Sequence, residues 1–150
     1  MAGVDDTALR ADNYTMSNLV RFGFFPRSYD FALLVLRIWF GAGLLLNHGL
    51  QKLTHYSRMS AHFPDPLHIG SQFSLILVLL AEVVGSILLI IGFATRWAAL
   101  VILIELAVAL TLVHKFAFSG PMSGELAYAY FGGVLVIFLA GAGRFSVDRV

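Results

Sequence analysis

Apolar residues run almost unbroken through four stretches of the chain, at about 31–50, 73–94, 97–116 and 126–142, and polar residues gather between them. Each stretch approaches the ~20 residues that a helix needs to cross a hydrocarbon core of about 30 Å, the fourth being the shortest. The pattern predicts an all-α fold, an integral membrane four-helix bundle over 31–150, preceded by an N-terminal extension over 1–30. Arg96 and Trp97 mark a tight turn that makes the second and third helices antiparallel neighbours. A longer connection over 51–72 contains Pro64 and Pro66, and another over 117–125 holds Ser119-Gly120-Pro121 and Ser123-Gly124. Gly41 and Gly43, Gly85 and Gly92, and the Gly132–Gly143 region supply small residues where helix backbones can approach closely.

Composition strengthens this picture. Hydrophobic residues make up 59% and charged residues 13%, the latter about half the ~25% share of soluble domains. A mean hydropathy of +0.83 would leave a water-soluble fold with too much apolar surface, so the lipid bilayer is the first partner. A net charge of +1 argues against a nucleic-acid partner, and the absence of cysteine removes disulfides and any thiol relay carried by this chain. The acids Asp5, Asp6 and Asp12 make the first twenty residues unlike a cleavable signal, so the first apolar run is read as a retained helix. The segment Phe22–Arg27 sets aromatics beside cations just before that run, a composition suited to the membrane interface or to docking a partner.

Orientation follows from Lys and Arg. Arg10, Arg21, Arg27, Arg96, Arg144 and Arg149 fall on one side, against Lys52, Arg58 and Lys115 on the other, so both termini are expected in the cytoplasm.

The candidate chemistry lies where charge interrupts the apolar runs. Glu82 and Glu105 sit deep in the second and third stretches and Arg37 in the first. A charge at membrane depth costs roughly 2.5–3.5 kcal/mol even on a mild scale, so each needs a partner or a purpose. Arg37 is the expected partner of both carboxylates, and one of the two is then expected to carry a proton. This triad can serve as a register-setting ion pair or as a catalytic, proton-exchanging group. All five histidines, His48, His55, His62, His68 and His114, fall on the non-cytoplasmic side. His48 and Lys52 are four residues apart and share a helix face, and His114 and Glu125 reach the same level, so His48, Lys52, His114 and Glu125 form an expected outer cluster. Such a cluster can hydrogen-bond a quinone carbonyl and move its protons. No tight metal-ligand spacing occurs, so no metal is expected.

Several short motifs then fall in a telling order. Arg37 and Gly41 are followed by His48-Gly49-Leu50-Gln51-Lys52-Leu53, then Glu82-Val83-Val84-Gly85, then Gly92-Phe93-Ala94-Thr95-Arg96, and finally Gly141-Ala142-Gly143-Arg144-Phe145-Ser146-Val147-Asp148. In this order and spacing the chain resembles the DoxX family of small four-helix membrane proteins, from about Leu33 to Asp148. Glu105 and the long N-terminal extension depart from the family pattern and point to a specialised member. The resemblance implies a bacterial plasma-membrane protein associated with a quinone-linked oxidoreductase complex, working with a partner membrane or redox subunit. Two alternatives stand beside it. One is a non-catalytic accessory or assembly subunit of a larger membrane complex. The other is a small-molecule permease, for which four helices would need a homo-oligomer.

Overall fold

The computed structural model describes residues 28–148, and the sequence expectations for 1–27 lie outside the described residues. Helix α1 spans Tyr29–Thr54, 26 residues, about 39 Å at 1.5 Å per residue. Ser28 caps its start, its hydroxyl accepting from the Phe31 amide at 3.2 Å. A single turn, α2 (Tyr56–Met59), and a proline-containing loop lead to α3 (Ser71–Ile91), followed by α4 (Thr95–Val113) and α5 (Glu125–Ala140). The described residues contain no strand. Helices α1, α3 and α4 are long and apolar enough to cross a membrane, and α5 is a shorter apolar helix of 16 residues.

The boundaries shift from the sequence expectation in two instructive places. The first helix continues past residue 50 to Thr54, which puts Lys52 on the helix. The α3–α4 turn is Gly92-Phe93-Ala94, while Arg96 and Trp97, expected in the turn, begin α4. Gly92 explains the difference. It takes a left-handed φ of +70° at the end of α3, where the Phe93 amide donates to Leu88 O and the Gly92 amide to Leu89 O. That pairing is the Schellman helix stop, which favours glycine because it has no Cβ.

Each spanning helix from α1 to α4 also contains one widened π turn: Leu45–Gly49, Leu80–Gly85 and Ala109–Val113. In two of them the amide five residues on closes the turn, Leu50 to Leu45 O and His114 to Ala109 O. Such turns concentrate at functional sites.

Leu44, Leu89, Ala98, Ala99, Ile102, Leu103, Leu106, Tyr130, Val134 and Ile137 form the core between the helices. Large apolar side chains such as Trp39, Trp97, Ile104 and Leu139 cover the outside, as lipid contact requires. Helices α1 and α3 are antiparallel and very close. A Cβ on Gly49 would lie 2.9 Å from the Glu82 carbonyl oxygen, so no larger residue fits there without a shift.

At the α3–α4 turn, Arg37 is fully buried. Its guanidinium donates to Leu89 O and Ile90 O, each at 3.3 Å, and to Phe145 O. The first two are among the last carbonyls of α3, where partial negative charge collects. The C-terminal segment straps across the same turn: the Asp148 amide donates to Gly92 O at 2.9 Å, and its carboxylate accepts from the Ala94 and Thr95 amides at 2.7 and 2.8 Å. Asp148 thereby caps the start of α4 from a distant part of the chain. Burial opposes its charge, but the amides of Thr95 and Ala94, together with the Arg37 charge, outweigh that and hold the carboxyl below its ordinary value of 3.8.

Asp148→Ala is expected to destabilise the bundle by about 1 kcal/mol, as loss of a helix cap does. A carboxyl with a lowered folded pKa stabilises above its unfolded value and ceases to do so as pH falls through the folded one. The difference in thermal unfolding temperature between wild type and variant should therefore be present at pH 7 and shrink below pH 4. Arg37→Leu, which strands buried carbonyls, should cost about 2–4 kcal/mol in the same unfolding assay.

Candidate functional site

The expected Arg37–glutamate triad does not form. Geometry accounts for this. Every side chain on a helix leans toward that helix's N-terminus. On α1, Arg37 therefore leans toward the α3–α4 turn, and it meets carbonyls there instead of Glu82 or Glu105. Lys52, on the same helix but past the widened turn, leans inward from the other end. Glu82 belongs to an antiparallel helix and leans outward to meet it. The Lys52 ammonium contacts both Glu82 oxygens, at 2.6 and 2.7 Å. The Glu82 side chain is 5% exposed and the Lys52 side chain 18%, so this is a buried ion pair.

Above and beside the pair lies a cavity of about 570 Å³, within the ~300–1,000 Å³ range of small-molecule sites. Its wall is mostly apolar, with His48, Lys52, Glu82, Glu105 and His114 converging on it and Tyr130 at its side. The π turns lie at this level: His48 and Glu82 are inside two of them, and His114 follows the third. The His48 ring stands edge-on to Tyr130, with centroids 5.7 Å apart at 89°. His48 Nε2 and Glu105 Oε2 are buried and have no hydrogen-bond partner among the described residues. His114 Nδ1 lies 2.8 Å from Met122 O. A carbonyl can only accept, so Nδ1 carries the hydrogen and Nε2 of the neutral ring is left as an acceptor.

The far end is roofed by the loop that holds Phe63, Pro64, Pro66, Leu67 and Ile69. Asp65 pins this roof to α3, accepting from the Ile69 amide at 3.0 Å, the Gly70 amide at 2.8 Å and the Ser74 hydroxyl at 2.8 Å.

The structure thus brings together His48, Lys52, Glu82, Glu105 and His114, and leaves out Arg37 and Glu125. Glu125 is exposed at the start of α5 and is not part of the cavity wall: its neighbours Ser123, Leu126 and Ala127 line the cavity, and its own side chain is on the exposed face of the helix. His55, His62 and His68 are exposed and also stand apart. Tyr130 and the Asp65-pinned roof were not singled out from sequence. Two tyrosines, Tyr128 and Tyr130, in an apolar helix and an acid between two prolines were the available signals.

Chemically, the site offers an apolar chamber, a fixed cation–carboxylate pair, one carboxyl without a cation and two imidazoles. That set can hold a neutral polar head and exchange protons with it. If the ion pair is as tightly coupled as its geometry shows, Lys52→Met should destabilise the protein by about 3–5 kcal/mol, since it leaves Glu82 buried and alone. Adding Glu82→Leu should recover part of that loss in detergent unfolding experiments. A double variant no more stable than Lys52→Met would argue against the coupling.

Comparison with known proteins adds one firm result. No curated protein and no solved structure matches the chain. The DoxX family model matches residues 32–115, from the start of α1 to the end of α4, leaving the Gly141–Asp148 strap outside the matched region. The match takes in the Lys52–Glu82 pair, both cavity imidazoles and the Gly92 turn, and the chain belongs to the DoxX family.

Proposed function

We propose that this protein is the quinone-binding membrane subunit of an oxidoreductase complex. The observation that carries this reading is the apolar cavity with His48, Glu105, His114 and the Lys52–Glu82 pair on its wall. A quinone head is flat and largely apolar, with two carbonyls that accept hydrogen bonds and take up protons on reduction. The residues present fit such a head. The chamber has suitable size and polarity, and His48 Nε2 and Glu105 Oε2 are buried polar atoms still lacking partners.

When bound, the quinone supplies two-electron, two-proton redox chemistry. The chain's own residues do the rest. His48 orients one carbonyl, its ring held against Tyr130. Glu105, with no cation of its own, exchanges protons at its carboxyl. Lys52 fixes the Glu82 charge, so that the wall keeps one constant and one exchangeable carboxyl. His114, at the end of α4 with its Nδ1 tied to Met122 O, passes protons between the chamber and the outer surface. Electrons arrive from a partner redox subunit. The family resemblance supports a bacterial plasma membrane, and the Lys and Arg distribution supports cytoplasmic termini, an orientation in which the cavity faces the outer half of the bilayer.

The test is quinone bound per purified protein in mild detergent. Wild type should retain quinone. His48→Ala should weaken binding about tenfold, the effect of losing one well-placed hydrogen bond and its packing. Absence of specific quinone in wild type would overturn the reading.

A further inference from the structure

The outer half of α3 lacks the packing against α4 that its inner half has. Helix α4 packs against Leu80–Gly85 and Ser86–Ile91, but Ser71–Leu79 makes no extended contact with α4. The widened turn at Leu80–Gly85 falls at the boundary between the half that packs and the half that does not. Between the two helices the cavity wall is made of Leu77 and Leu80 from α3 and Val101 and Ile104 from α4. These side chains are also on the outer surface: Leu80 is 49% exposed and Ile104 57%. The α1 residues on the wall, by contrast, face inward, with Leu44 buried and His48 and Lys52 half-buried.

We propose that the cavity opens sideways into the bilayer between the outer halves of α3 and α4. Its ligand enters from the lipid phase, and the ligand is an amphiphile with a neutral polar head and an apolar tail. The head reaches Glu105, one residue beyond Ile104 at the rim, while the tail stays among the lipid chains. The apolar character of all four rim residues excludes a charged solute dissolved in water from this route, because it would have to shed its hydration to pass them. The Asp65-pinned roof closes the aqueous side, where its hydrogen bonds to Ile69, Gly70 and Ser74 hold it in place. The tailed-ligand class rests on the quinone reading; the lateral opening itself does not.

The chain contains no cysteine, so single labelling sites can be introduced cleanly. We would place a nitroxide at Val78→Cys on the cavity wall and, separately, at Leu67→Cys on the roof, in full-length protein in lipid nanodiscs. Accessibility to oxygen, which partitions into lipid, is then compared with accessibility to a water-soluble nickel chelate. Oxygen should dominate at position 78 and the nickel chelate at position 67. Ile104→Trp, or Val101→Trp should that variant fail to fold, should remove oxygen accessibility at position 78 and leave position 67 unchanged. A label at position 78 that the nickel chelate reaches as readily as position 67 would overturn the lateral opening, as would oxygen access indifferent to both tryptophans. Adding a short-tailed quinone to the same discs separates the two readings. Lateral access without quinone protection of position 78 keeps the opening and removes the quinone.

Discussion

The Lys52–Glu82 pair sits where a single charge would be hard to keep, buried in an apolar bundle. Removing either partner leaves the other buried and uncompensated, which is more costly than never having had the pair. Its existence depends on the opposite directions of α1 and α3, which make the two side chains lean toward each other. It also depends on the close backbone approach at Gly49, beside the Glu82 carbonyl. Because the pair neutralises one of the two deep carboxylates, Glu105 is left as the carboxyl without a cation on the cavity wall. The character of the site follows from that division.

The bundle therefore has two polar centres with different work. At the α3–α4 turn, Arg37, Gly92 and Asp148 satisfy helix-end carbonyls and amides that would otherwise be orphaned. There the charges meet backbone and the C-terminal strap covers the turn, while Arg37 Nε and Thr95 Oγ1 are left without partners among the described residues. The other centre is unsaturated, with buried polar atoms on His48 and Glu105 still lacking partners beside an open volume. A buried polar atom without a hydrogen bond is costly to maintain. What distinguishes the second centre from the first is that its unpartnered atoms border an open cavity, whereas Arg37 Nε and Thr95 Oγ1 do not.

The sequence revealed the four helices, because long apolar runs can satisfy their backbone in lipid only as helices. It also revealed five of the cavity's ionisable residues, since charge and imidazole stand out against an apolar background. What it hid was direction. Arg37 and Lys52 lie on one helix, and pairing by depth alone favoured Arg37 for Glu82; the lean of side chains favoured Lys52. The π turns had no sequence signature, and the Gly92 stop was mistaken for part of the helix, with the turn displaced to Arg96 and Trp97. Glu125 joined the expected cluster by linear position; the start of α5 does pack against His114, but the Glu125 side chain falls on the exposed face of the helix. Tertiary arrangement decided each of these points.

The most direct test of the account is photoaffinity labelling with an azido-quinone in membranes, followed by mass spectrometric mapping of the adduct. The account predicts adducts on α3 and α4 residues at the cavity, around Leu77–Glu82 and Val101–Ala109, competed away by unlabelled quinone. Adducts confined to the outer face of α5, around Val136 and Leu139, or labelling indifferent to competitor, would contradict it.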